Sequence, residues 1–196
     1  MKLHVLANNA EWKTLPAKVE NWKRKMQTVK GIGEVETEIS YSSFDYIPLV
    51  EENEPGEYMI SPEWINQFWV PGTDLLLIIV TEKDWKKWGG DNKNYGRFYR
   101  DTVNPVIAYV IADELSTLKR KDGVTYNRCA TVGEHEIQHQ LCRLSGQKDL
   151  THYYRDRGDL NAMWEYITFE KGRTARRIAA DILRLLGELA KKLVTS

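Results

Sequence analysis

Residues 74–80, DLLLIIV, constrain this chain more than any other stretch. A strand with one wet face alternates apolar and polar residues, because successive side chains point to opposite faces. Six apolar residues in a row, starting just after Pro71 and Gly72, predict instead a central strand buried on both faces. Three other stretches read as strands. KLHVLA is short and apolar. GEVETEISYS alternates strictly, with Val35, Thr37, Ile39 and Tyr41 on one face and Glu34, Glu36, Glu38 and Ser40 on the other, so it is expected half-buried. PVIAYVIAD begins with Pro105, which suits an edge position because proline has no N–H to donate.

Helical spacing marks the rest. Leu15, Val19, Trp22, Met26 and Val29 predict an amphipathic helix ending near Gly31. In SPEWINQFW, Ser61 is the expected cap and Pro62 the first helical residue. Residues 127–145 read as a helix stopped by Gly146. A last helix is expected at about 174–194, with Ile178, Ile182, Leu185, Leu186, Leu189 and Leu193 along one face. EENEPGE is a surface loop and KRKDGV a turn. KKWGGDNKNYGRFYR reads as a flexible basic and aromatic loop. Strand, helix, strands, then helices give an α+β fold in a single domain over 1–196.

Charge narrows the choice of partners. Lys plus Arg and Asp plus Glu number 28 each, so nothing draws the whole chain to nucleic acid or anionic lipid. Two cysteines, Cys129 and Cys142, are too few for a disulfide-stapled fold and are expected as reduced core residues. MKLHVLANNAEW has no long apolar segment after its lysine, and no stretch is apolar enough to span a membrane. The expected location is the cytoplasm, the alternative being a mature fragment whose leader was removed. Oligomeric state is not legible.

The chemistry concentrates in GEHEIQHQLC, residues 133–142. On a helical wheel at ~100° per residue, Ala130, Gly133, Ile137, Leu141 and Leu144 gather on a core face. Val132, His135, His139 and Cys142 gather opposite, with Glu136 a quarter turn from the histidines. On a fully exposed helix these polar residues would be an ordinary solvated face. Here they stand one turn apart in the frame that separates them from the apolar stripe. Two neutral imidazoles at i and i+4 can reach one Zn²⁺. The ion lowers the pKa of its bound water to roughly 7. Glu136 can then act as general base and pass the proton to a leaving amine.

A catalytic zinc takes three protein ligands and keeps one position open. His152, six residues after Gly146 in LTHYYRD, is the expected third. Asp156, Asp159 and Glu165 are the alternatives. Cys142, on the histidine face, would make the site closed and structural if it were a fourth ligand. Tyr153, Tyr154 and Tyr166 are nearby candidates to steady an oxyanion.

HEIQH resembles the zincin metallopeptidases, and more loosely their metzincin branch. That branch reads H-E-x-x-H-x-x-G-x-x-H, followed by a turn containing a methionine beneath the metal. This chain has His135, Glu136 and His139, but Cys142 at the glycine position and Ser145 at the third histidine. A helix one turn longer with a displaced ligand, His152, would restore the set. RDRGDLNAMW is similar to the metzincin ending, with Met163 as the methionine of the turn. TDLLLIIV through PVIAYV resembles the order of central strand, loop and edge strand, to which peptides add as a strand. The resemblance covers roughly residues 74–166. It implies a zincin-like mixed β-sheet with an active-site helix and a C-terminal helix, a Zn²⁺ cofactor, and a peptide or protein substrate. The alternative it leaves open is a binding protein that keeps a zincin scaffold with a structural or inactive metal site.

Overall fold

The computed structural model describes residues 1–169 apart from 10, 53, 92 and 120–122, together with 182 and 186. In chain order the elements are β1 (Lys2–Asn8), α1 (Leu15–Thr28), β2 (Glu36–Ser42), β3 (Leu49–Glu51), β4 (Tyr58–Ile60), α2 (Pro62–Ile65), β5 (Leu75–Val80), α3 (Glu82–Lys87), β6 (Gly96–Phe98), β7 (Val106–Ile111), β8 (Thr117–Lys119), β9 (Thr125–Asn127), α4 (Arg128–Ser145), α5 (Thr151–Asp156) and α6 (Leu160–Tyr166). The fold is α+β. The expected last helix lies outside the described residues, save Ile182 and Leu186, which are helical and exposed. No helix among the described residues is long and apolar enough to cross a membrane.

The DLLLIIV stretch becomes the middle of a five-stranded sheet of order β2-β1-β5-β7-β6. Its neighbours β1 and β7 both run parallel to it. All six residues of β5 are buried. Leu75, Leu77 and Ile79 pack on one face with Trp22 and Met26 of α1 and Ile137 and Leu141 of α4. Leu76, Ile78 and Val80 pack on the other with Ile47, Ile60, Ile65 and Trp85. Each such side chain contributes about 1.5–3 kcal/mol by leaving water, so both faces must stay covered. β2 pairs only along β1 and has Thr37 and Ile39 half-buried, as its alternation predicts, although Tyr41 is exposed.

The position of the edge departs from the sequence reading. PVIAYVIAD forms β7, which lies between β5 and β6 with all six strand residues buried. Pro105 precedes the strand, so its missing N–H costs no ladder bond. The Asn104–Pro105 peptide is cis. The edge is instead β6, antiparallel to β7, cut from the stretch expected to be a loop. Its three residues are too few for a legible period. The expected helix at SPEWINQFW is one turn, α2, with the Ser61 side chain accepting from the Trp64 N–H.

Helix α4 lies against the sheet and is held there in two ways. The Gln140 Nε2 amide donates to the carbonyls of Leu76 at 2.8 Å and Val106 at 2.7 Å, one on each central strand. Nearer its N-terminal end, Trp22 of α1 donates from Nε1 to the Ala130 carbonyl at 3.1 Å. The Trp22 ring lies where Gly133 has no side chain: a Cβ there would stand 2.4 Å from the ring. Gly133→Ala is therefore expected to lower the melting temperature. Overpacking against a rigid indole costs about 1–3 kcal/mol, against a helix-propensity gain of about 1 kcal/mol. A melting temperature that rises would contradict this packing.

Candidate metal centre

Asn127 starts α4 by accepting from the Ala130 N–H, and Gly146 ends it in the left-handed conformation, φ 71°. There the Gln147 N–H returns to the Cys142 carbonyl. This close turns the chain back along the helix that carries HEIQH. Gln147 then clamps the return: its amide reaches the Tyr166 carbonyl and the Thr168 hydroxyl, and its Oε1 accepts from the Thr168 N–H. The Tyr166 hydroxyl donates to the Lys148 carbonyl at 3.0 Å. The chain then begins α5 over the histidine face of α4.

Three imidazoles meet there. Ring centroids are 4.6 Å apart for His135 and His139, 5.1 Å for His135 and His152, and 5.0 Å for His139 and His152. One ligand nitrogen from each lies within 4.8 Å of the others. The Nε2 atoms of His135 and His139 are 3.1 Å apart. Two nitrogens on a tetrahedral zinc, each at ~2.0–2.1 Å, stand about 3.3–3.4 Å apart. The donor set therefore fits a divalent ion such as zinc. Burial pushes the pKa of His135 down to about 2, with the imidazoles of His139 and His152 and the Arg155 guanidinium acting the same way. His152 is also lowered, by burial first and then by His139 and Arg155.

Asp149 is the residue that reading the sequence missed. Its Oδ2 lies 2.5 Å from His139 Nδ1. Its Oδ1 accepts from the Thr151 N–H at 3.0 Å. Burial alone would raise this carboxyl, but the hydrogen bonds from His139 and Thr151 hold it well below the usual carboxylate range. An ionised carboxylate only accepts. Nδ1 of His139 thus donates, which leaves Nε2 as the nitrogen that can face a metal. The available signal was local: an Asp side chain readily accepts from the backbone N–H two residues on, here Thr151.

Glu136 is buried at 4% exposure, between the two histidines in sequence. Burial pushes its carboxyl up to about 8, the Asp149 charge adds to this, and Arg97 and Arg155 oppose it. Gly96 of β6 makes room for it. A Cβ on Gly96 would fall 2.5 Å from Val132 Cγ1 and 2.8 Å from Glu136 Oε1. Two residues on, Phe98 stacks on His139, with centroids 5.7 Å apart and planes 2° from parallel. The strand taken for loop is the roof of the site.

Two cavities flank this point, of about 290 and 610 Å³. Gly96, Glu136 and His152 line both. The smaller adds His135, Val132, Tyr95 and Leu118; the larger adds His139 and residues 97–102. The other expected residues stand elsewhere. Asp156 meets Arg155, Asp159 caps α6 through the Ala162 N–H, and Glu165 is exposed. Tyr153 is exposed under the Arg157 guanidinium, and Tyr154 packs between Tyr153 and Tyr166. Met163 stands inside helix α6, fully buried in the core, where a methionine turn was expected. Cys142 is not on an open metal face: it is fully buried in the core cluster under α5, and burial pushes its thiol up to about 12. The wheel placed it with the histidines, but sheet and α5 together enclose the last turns of α4.

No family model matches the chain, and no curated protein matches it. It is similar to the crystal structure of an archaemetzincin from Methanopyrus kandleri, at 14% sequence identity and a TM-score of 0.44, over 93% of this chain and 95% of that one.

Asp149→Asn keeps the shape of the side chain and removes the charge that fixes His139. Zinc affinity, measured by competition with a chromophoric chelator, is expected to fall about 10–100-fold. Unchanged affinity would show that Asp149 does not orient the ligand.

Proposed function

We propose that the chain is a zinc-dependent endopeptidase. One observation carries the reading: His135, His139 and His152 converge on one point with Glu136 beside them, inside a cleft roofed by an edge strand. When bound, zinc supplies a Lewis acid that acidifies water and polarises a scissile carbonyl. His135, His139 and His152 hold the ion, and Asp149 sets the orientation of His139. Glu136, ionised once a bound dication offsets the burial that raises its carboxyl, takes a proton from the attacking water and delivers it to the leaving amine.

The roof supports a peptide as substrate. Ile111 donates to the Tyr95 carbonyl and Tyr99 donates to the Ile107 carbonyl. With the register Gly96↔Val110, Arg97↔Tyr109 and Phe98↔Ala108, residues 95, 97 and 99 turn their backbone groups toward β7. The N–H and C=O of Gly96 and Phe98 then point away from the sheet. No further strand pairs with β6 among the described residues. An extended peptide can add there and pass between the two cavities, over Glu136. The side chains at 96 and 98 face α4, where one must be absent and the other covers His139.

The purified protein is expected to hold about one zinc per chain. Glu136→Gln should retain the zinc and lose about 10²–10⁴-fold in hydrolysis of a quenched fluorescent peptide. Hydrolysis at the wild-type rate in that variant would end the peptidase reading.

A further inference from the structure

Among the described residues, the smaller cavity is lined by Arg155, whose ion pair is with its exposed neighbour Asp156. Its volume of about 290 Å³ lies at the low end for ligand pockets, enough for one amino-acid residue. Of the lysines and arginines among the described residues, Lys93 and Arg155 line it, and the cations near its walls are tied to other elements. Lys93 donates to the Pro55 carbonyl at 3.0 Å. Arg97 pairs with Glu52, and Arg128 pairs with Glu82 and lies over the Tyr95 ring. Lys25 neutralises Glu134, which also accepts from Trp164.

Arg155 is held differently. It stands three residues after His152 on α5, so both share a face. It lines the cavity beside His135, Glu136 and His152. Its described partner is Asp156, next in sequence, at 2.9 Å, and the two side chains are 46% and 66% exposed. Such an exposed pair contributes little. The guanidinium is free to leave it for a better-placed carboxylate. Its charge already acts on His135, Glu136 and His152.

We propose that Arg155 makes this cavity a carboxylate-recognition subsite, which takes the substrate residue beside the scissile bond when that residue carries a carboxylate. The inference rests on the peptidase reading for the meaning of the scissile bond. The carboxylate is either an acidic side chain, which suits internal cleavage, or a free C-terminus, in which case the chain removes terminal residues rather than cutting internally. A guanidinium meets both with two parallel hydrogen bonds. Leu118, Val132 and Tyr95 enclose the rest of the residue.

Calorimetric titration of the zinc-supplied Glu136→Gln protein tests this without turnover. Two matched pairs of probes are used: acetyl-Ala-Phe-Glu-Ala-amide against its Gln counterpart, and acetyl-Ala-Phe-Ala as free acid against its amide. In at least one pair the carboxylate member is expected to bind about tenfold tighter. The pair that discriminates identifies side chain or terminus as the source. Adding Arg155→Gln should erase the difference, and Arg155→Lys should keep part of it. Equal binding within both pairs, or a difference that survives Arg155→Gln, would overturn the proposal. Cleavage of the same peptides by the wild-type chain separates the two readings. Cleavage that ignores the carboxylate sinks the subsite and leaves the peptidase. Arg155-dependent binding with no cleavage of any peptide sinks the peptidase and leaves the subsite.

Discussion

The site depends on one carboxylate. Asp149 joins the end of one element to the start of the next, with one oxygen on His139 and the other on the Thr151 N–H. The first contact decides which nitrogen of His139 faces a metal. The second begins α5, and His152 is its second residue. Two candidate ligands on separate helices are thus placed by a single side chain. The loop that carries it is itself clamped by Gln147 and Tyr166 against the chain after α6. A ligand displaced from the HEIQH helix is workable only because this return is rigid.

The helix beneath is fixed by close approach on two sides. Gly133 admits the Trp22 ring, and Gly96 admits Glu136. Between them, Gln140 ties the helix to the two central strands. Small residues here bring polar side chains close to a sheet whose central strand β5 is entirely apolar. That apolar surround drives the carboxyl of Glu136 up and the pKa of His135 down. Burial therefore shapes the chemistry of the site as well as its geometry.

Much of this was legible in the residues. DLLLIIV, KLHVLA and the stripe from Leu15 to Met26 formed the expected elements, because their patterns match one period each. The Gly146 stop and the convergence of His152 with the two helix histidines also followed the reading. What escaped was decided by tertiary contacts. β6 is three residues long and takes its strand character from pairing with β7 alone. Cys142 and Gln140 sit on helix turns enclosed from both sides, which no wheel can show. Asp149 and Arg155 acquire meaning only once α5 folds back over α4. DLNAMW has helical spacing as well as the look of a turn, and the core claimed Met163.

The central claim is that three imidazole nitrogens, and no sulfur, hold a zinc ion in this chain. X-ray absorption at the zinc edge of the purified protein reads this directly. The account predicts a four-coordinate spectrum with three imidazoles and one light-atom neighbour at ~2.0–2.1 Å. A sulfur shell at ~2.3 Å, or an edge too weak for one zinc per chain, would contradict it.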